Sequence, residues 1–544
     1  MKKLWMICSW ALLWGGCESE SNAVRDTEKP APPLSVELSG KIEKLNAELS
    51  RLKILADAVA QSQVRSIAET EAEYRFVFRD GAEVTVVCDE AAEFPLIGIA
   101  ADGDAYYWTL AAQPGTPWLC DAVGAKLPVA GPIPVVGRDE EGFWTVATEN
   151  DAVPWRIVDA SGDPLEATGD ESVALFRAVR VEESRVDVEL TDGGILSAVR
   201  IRDLSAAGTA NCYVVTASGP CVLQAGVRGN GFVAGGGFEA AIAPLDDLTA
   251  DWLWTDAEGL VSEVAFDAAS GDLFFTAGSG RGNASVALMH EDEVVWSWHI
   301  WVTDAPQPMT YENGAVFMDR NLGAVESAAG STNAYGLYYQ WGRKDPFYFG
   351  LTTETSAEAF REALARTTVN PAYAAHTWNF DSHTATAAEA AAHPLTFYNA
   401  QGTVAADWLS SSDATLWGEA KTLNDPCPPG YKVPSIGAWE NLSSGRNYVE
   451  EVSAWDAEHF GMTYTYGGHT AWYPAQGYRN YSSGAIVGLR SSTGGSGAYW
   501  SSSASGAKAR YLFFKKPLSS GSGALNPDLD KERSYGYTVR CCRE

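Results

Sequence analysis

Cysteine, histidine and clustered aromatic side chains are the groups in this sequence whose type and spacing could do chemistry. Cys17 follows Gly15-Gly16, behind a basic Met1-Lys2-Lys3 and an apolar run from Leu4 to Trp14. That run is too short to span a bilayer as a helix. The pattern reads as a signal peptide over residues 1–16 with a lipoprotein-type end, in which small residues admit the processing enzyme and the Cys17 thiol takes the lipid, a palmitate-type chain. Catalytic patterns are missing. The sequence holds no GxSxG, HExxH or Walker loop, and Gly235-x-Gly237-x-x-Ala240 lacks a strand–helix setting. The seven His are scattered, and no Cys/His spacing suggests zinc. Asn526-x-Asp528-x-Asp530 has calcium-like spacing, but Lys531 stands where such a loop needs Gly. No metal, cofactor or enzymatic activity is therefore expected. What remains is aromatic. Tyr464-x-Tyr466-Gly-Gly-His469-x-x-Trp472-Tyr473-Pro474 suits a loop that offers rings to a ligand, and Trp417, Trp455, Tyr466, Trp472, Tyr473, Tyr478 and Tyr481 are the candidate ligand contacts. Core packing is the competing role for each of them.

Composition narrows the partners. Acidic residues (70) outnumber basic ones (39), a formal net charge of -31. Such a surface repels phosphate backbones, so nucleic acid is excluded, and membrane contact is expected through the lipid anchor alone. At about 150 residues per domain, 544 residues make three to four domains. Abundant Gly (52) with Trp, Tyr and Phe (20, 22 and 19) points to β-rich structure with many tight turns.

Several elements must position these groups. Residues 17–33 form a polar, Pro-containing tether. Over residues 34–66, Leu38, Ile42, Leu45, Leu49, Leu52, Ala56 and Val59 are spaced 4-3-4-3-4-3, an a/d seam of about three heptads. The seam is covered either by the next domain or by a second copy, so a homo-oligomer through this helix is one expectation. Residues 67–203 switch to period two. Tyr74-Arg-Phe-Val-Phe, Asp80-Gly81 and Val84-Thr-Val-Val spell a hairpin. Ile99 to Leu110 and Gly137 to Val146 each place an acidic-Gly turn before an aromatic pair, an internal repeat with Trp108 and Trp144 as equivalents. Those two rings are either sugar platforms or core. Residues 204–305 alternate as short strands. In Val294–Val302 the alternation sets Val294, Trp296, Trp298, Ile300 and Val302 on one face and Val295, His299 and Trp301 on the other. Large apolar residues on both faces mark a central strand, with His299 structural, and an immunoglobulin-like sandwich is expected.

Three resemblances follow. The acidic Glu-Ser-Glu-Ser-Asn after Cys17 resembles the surface-export signal of Bacteroidetes lipoproteins, which implies an outer-membrane anchor facing outward; a periplasm-facing anchor is the alternative. The heptad helix followed by "DG…YYWTL", "G.KLPV.G" and "GFWTV" resembles a polysaccharide-lyase-associated N-terminal domain of such lipoproteins, a likeness that carries no lyase activity. In residues 306–544, Met318-Asp-Arg-Asn-Leu-Gly-Ala324, Tyr335-Gly-Leu-Tyr-Tyr-Gln-Trp-Gly-Arg343, Asp425-Pro-Cys-Pro-Pro-Gly-Tyr-Lys-Val-Pro-Ser435, Tyr499-Trp-Ser-Ser-Ser503 and Tyr535-Gly-Tyr-Thr-Val-Arg-Cys541 resemble a Fibrobacter-type major paralogous domain. That family implies an α+β, C-type-lectin-like fold, a Cys427–Cys541 disulfide, and closing strands that pair with the domain's beginning. The lectin sugar signatures Glu-Pro-Asn and Trp-Asn-Asp are missing. Cys212–Cys221 and Cys88–Cys120 are further conceivable bridges. Residues 351–420 read as an insertion, free to vary in shape.

The expected whole is a multidomain, mainly β chain. Its expected role is a non-enzymatic, adhesin-like binder of a glycan or a surface protein. An accessory or tip subunit of a surface fibre is the second expectation, and a glycan-active enzyme with paired carboxylates is the third.

Overall fold

The computed structural model describes residues 36–544, apart from 71–72, 90–95, 104, 111–117, 122–123, 150, 152, 160, 169–172, 400–406, 445–446, 449–452, 467, 490–494 and 517–524. Cys17 and the tether lie outside the described residues. The chain is mainly β, with several separate sheets and few helices.

One helix, Val36–Gln61, opens the described chain, and the strand Val64–Glu69 begins inside the range expected to be helical. Its seam is covered by the chain itself. Leu38, Leu45, Leu49, Leu52 and Ala56 are buried in one core with Phe76, Phe78, Trp108, Trp144, Val186 and Leu196. Leu55 and Ala58 join them, so the buried stripe is wider than a two-position seam. Asn46 ties the helix to a strand edge: its Nδ2 donates to the Val136 carbonyl at 2.9 Å and its Oδ1 accepts from the Val136 N–H at 2.8 Å. The stripe offered as a homo-oligomer surface is thus occupied by this chain's own strands.

The hairpin Glu73–Phe78/Glu83–Val87 pairs antiparallel, with Phe76 opposite Val84 and Gly81 at φ 82° in the turn. The internal repeat is written in the hydrogen bonds. Trp108 N–H donates to the Leu127 carbonyl, Leu127 N–H to Leu119, and Leu119 N–H back to Trp108. Trp144, Leu165 and Ile157 close the same three-membered ring at 2.9 Å each. Trp108 and Trp144 are buried, so of the two roles open to them they take the packing one.

Residues 202–302 form two packed sheets. One orders Arg202–Asp203, Gly219–Gln224, Asp272–Ala277 and Val261–Asp267; the other orders Cys212–Val215, Glu293–Val302, Gly282–His290 and Leu248–Thr255. Trp296, Trp298, Ile300 and Val302 fill the space between them. A bulge shifts the start of the central strand: Leu288 faces Trp296 and Met289 faces Val294, which leaves Val295 over. Val295 therefore turns to the sandwich interior and Val294 outward, the reverse of strict alternation. Cys212 and Cys221 lie in different sheets, and both are free thiols, as is Cys120, so neither further bridge forms.

The C-terminal region wraps a seven-stranded sheet. Tyr338–Gln340 pairs with Gly536–Thr538, and Val316–Met318 pairs with Cys542–Arg543, so the end of the chain closes on the start of this region. Cys427 and Cys541 form a disulfide across 114 residues. Ser435 precedes the 3-10 turn Ile436–Trp439 without a side-chain cap, and Trp439 is buried one turn in. Residues 351–420, read as an insertion free to vary in shape, contribute to the core. Phe360, Trp378, Phe397 and Trp408 are core residues, and Thr368–Val369 extends the sandwich sheet beside Trp254–Thr255.

Candidate functional site

The longest C-terminal motifs hold the fold together. Asn321 Oδ1 accepts from Arg540 Nε and Nη2 at 3.0 and 2.8 Å, and its Nδ2 donates to Gln476 at 2.9 Å. Gln340 donates to the Tyr398 and Ser534 carbonyls, Trp341 to Ser501, and Arg343 to Thr396. The Asn321, Gln340, Trp341, Arg343 and Arg540 side chains are all buried, and a buried polar group without such a partner would be costly. These motif residues are therefore structural.

The aromatic candidates divide. Trp417 is buried, tilted on Trp341 at 5.6 Å, with its Nε1 donating to the Asn424 carbonyl at 2.9 Å. Trp472 is buried edge-on to His459. Tyr473 is buried beneath Arg540, whose guanidinium lies 3.7 Å from the ring centroid, and its hydroxyl meets that of Tyr311. These three offer no face to a ligand; the aromatic, Gly-rich segment is a hairpin, Gly461–Tyr466/His469–Pro474, whose rings point inward. Gly461 permits this, because a Cβ there would collide with the Trp472 ring. Trp455 and Tyr466 are half-buried on the same small sheet.

Tyr478 and Tyr481 come together on a different surface. Tyr535 lies 5.8 Å from Tyr478 and 5.0 Å from Tyr481, ring centroid to centroid. Tyr537 lies beneath, tilted at 4.9 Å from Tyr511, and Phe513 lies edge-on 6.1 Å beyond Tyr511. Exposure is graded. Tyr537 is buried, Tyr511 and Tyr535 retain 7% and 8%, and Tyr478, Tyr481 and Phe513 are half-buried at the edge. Strands of the seven-stranded sheet carry Tyr478, Tyr511, Phe513 and Tyr537, while Tyr481 and Tyr535 sit in the turns beside them. Lys531 Nζ sits 4.8 Å over Tyr535 and pairs with Glu532 at 3.3 Å. Burial pushes the Tyr511 phenol up to about 12 and raises Tyr535 above its ordinary range, so both hydroxyls stay neutral at physiological pH and can donate or accept. The sequence reading missed Tyr511, Phe513 and Tyr535. Tyr535 stood inside a quoted motif, but strand alternation shows which rings share a face and not which face is wet.

Asn526, Asp528 and Asp530 lie along the strand Leu525–Glu532 with Asp528 paired to Arg510, so they do not form a calcium loop. Among the described residues no three His, Cys, Asp or Glu side chains gather as metal ligands, and no helix is long and apolar enough to cross a membrane. No protein-family model matches the chain, and a search of curated proteins finds no match.

Proposed function

We propose that this chain is an outer-membrane lipoprotein, anchored through Cys17 and facing outward, that binds glycan without chemical turnover. The single observation that carries the binding part is the graded tyrosine face of Tyr478, Tyr481, Tyr511 and Tyr535. Rings preordered by edge-on and tilted packing lose little entropy on binding, and their faces suit the C–H surfaces of a sugar while the phenols supply polar contacts. The antiparallel closure of the chain ends and the Cys427–Cys541 bridge support a C-type-lectin-like reading of residues 306–544. The anchor rests on the first twenty residues.

The test is a glycan array probed with the full chain, wild type and Tyr481→Ala. Tyr481 is half-buried at the rim, so the variant keeps its fold, and affinity for the captured glycan falls about tenfold. Silence across the array, with co-purification of polymeric subunits, would replace this reading with the fibre-subunit one. Metabolic palmitate labelling that leaves Cys17 bare would remove the anchor.

A further inference from the structure

A second concavity, which shares no lining residue with the tyrosine face, lies where the sandwich meets the C-terminal region. It is a cavity of about 130 Å³. That is close to the ~150 Å³ that accommodates one six-membered ring. Its lining comes from both sides of the junction: Asp256, Arg281 and Asn283 from the sandwich, and Tyr335, Phe349 and Arg366 from the C-terminal region.

The base of the cavity is preordered. Asp256 Oδ1 accepts from the Asn283 N–H at 2.6 Å, and Oδ2 accepts from Asn283 Nδ2 at 2.9 Å. Each oxygen keeps a lone pair, since a carboxylate offers about four acceptor sites. Asn283 is itself clamped to the Gly323 carbonyl at 3.0 Å and to His299 Nε2 at 2.9 Å. Gly282 makes the arrangement possible, because a Cβ there would overlap the Asp256 carboxylate. Burial raises the Asp256 pKa, against the Asn283 hydrogen bonds, which lower it. The wall is aromatic: Tyr335 meets Phe349 edge-on at 6.0 Å, and Tyr348 stacks on Phe349 at 4.7 Å.

The rim is cationic, in a chain of net charge -31. Arg281 is paired with Asp304 at 3.0 Å. Arg366 is exposed and forms no ion pair among the described residues. Its guanidinium lies 5.6 Å from the Phe349 centroid, and its charge reaches the Tyr348 phenol and the Asp256 carboxylate. Arg366 is therefore the guanidinium with donors to offer a carboxylate.

We propose that this cavity binds a hexuronate ring of an acidic polysaccharide. Hydroxyls on one side of the ring donate to Asp256. The ring's C–H face lies on Tyr335 and Phe349, and its carboxylate pairs with Arg366. A neutral hexose satisfies the first two contacts and lacks the third. The site is independent of the tyrosine face.

Saturation-transfer NMR on the purified full chain, with glucuronate, glucose and inorganic sulfate as probes, tests this. Glucuronate binds in the millimolar range, glucose about tenfold more weakly, and Arg366→Gln lowers glucuronate affinity about tenfold, the factor expected for one charge-assisted bond. Arg366 is exposed, so the variant stays folded, and Arg281→Gln is a milder second variant. Tyr481→Ala leaves glucuronate binding unchanged, which separates a failure here from a failure of the tyrosine face. Equal affinity for glucose and glucuronate, no glucuronate signal up to about 50 mM, or an unaffected Arg366→Gln would each overturn the proposal. Sulfate binding as tightly as glucuronate would overturn it too, by reducing the cavity to an anion site without ring recognition.

Discussion

His299 shows how far a single side chain can be read. Its place on the outer face of a Trp-rich strand was legible from alternation alone. Its partner was not, because Asn283 sits on the neighbouring strand and is held by contacts from two other segments. Asn283 Nδ2 bonds both Asp256 and the Gly323 carbonyl, so its Oδ1 must face His299 as acceptor, and the imidazole must carry its proton on Nε2. Nδ1 is left buried without a hydrogen-bond partner. Burial depresses the His299 pKa from 6.5 to about 3. Below pH 6.5 the unfolded chain takes up a proton that the folded chain refuses, so stability falls as pH drops from 6.5 toward 3. At pH 5 the loss from this one group is about 2 kcal/mol. Denaturant unfolding of wild type and His299→Gln at pH 7 and pH 5 checks it. The difference between the two proteins should shrink or reverse at pH 5 by about that amount. Buried carboxylates such as Asp256, whose pKa values are raised, pull the opposite way and cancel in the comparison. A pH-independent difference would mean that His299 titrates normally. The aromatic candidates teach the complementary lesson. Trp472 and Tyr481 look alike as exposed-loop rings in a linear pattern, but Trp472 turns inward into space that the missing Cβ of Gly461 leaves open.

At the scale of elements, the strand Glu293–Val302 was recognisable as central because both its faces are large and apolar. What covers the second face was not recognisable, since the covering residues lie up to two hundred positions downstream. Ser297 sits on that face, and its hydroxyl donates to Asp345 at 2.6 Å and accepts from Lys344 Nζ at 2.5 Å. Lys344 also bonds Asp345 at 2.6 Å and the Ser297 carbonyl at 3.1 Å, and lies 4.4 Å over the Trp296 ring. Both charges are buried, at 2% and 8% side-chain exposure, and burial lowers the Lys344 pKa. Such a pair is expensive to break and cheap to replace. Asp345→Ala should cost about 3–5 kcal/mol in urea unfolding, because it strands a buried ammonium. Lys344→Met with Asp345→Leu should restore most of that. If the single variant costs under about 1 kcal/mol, the pair is hydrated and does not latch the strand. Turn chemistry, by contrast, was local enough to read directly: Asp80-Gly81 produced its hairpin, and the paired Trp108 and Trp144 repeats produced identical backbone rings.

At the scale of the whole molecule, the sandwich and the C-terminal region are not independent of one another. One core contains Cys212, Leu253, Trp254, Met289 and Trp301 from the sandwich together with Tyr339, Tyr348, Trp378 and Val539 from the C-terminal region. Trp254 packs against Trp378 at 5.3 Å and Tyr348 at 6.4 Å. Asn211 donates to the Leu423 and Asp425 carbonyls at 2.7 and 2.9 Å. A cut between residues 305 and 306 therefore splits a core and leaves several tryptophans and tyrosines facing water, at about 1.5–3 kcal/mol per large side chain exposed. The N-terminal module is joined more thinly, through the Arg65–Asp272 ion pair, Arg79 over the Phe274 ring at 4.6 Å and a small apolar cluster of Ile201, Val222 and Phe274. Residues 204–544 should consequently unfold in one cooperative transition, whereas residues 306–544 alone should bind a hydrophobic dye and aggregate. Calorimetry and dye binding on the two fragments measure this directly. A monomeric, dye-silent 306–544 fragment with a sharp transition of its own would show that the shared core is dispensable. The hexuronate cavity would then be a cleft between two separately stable bodies instead of a pocket built into one.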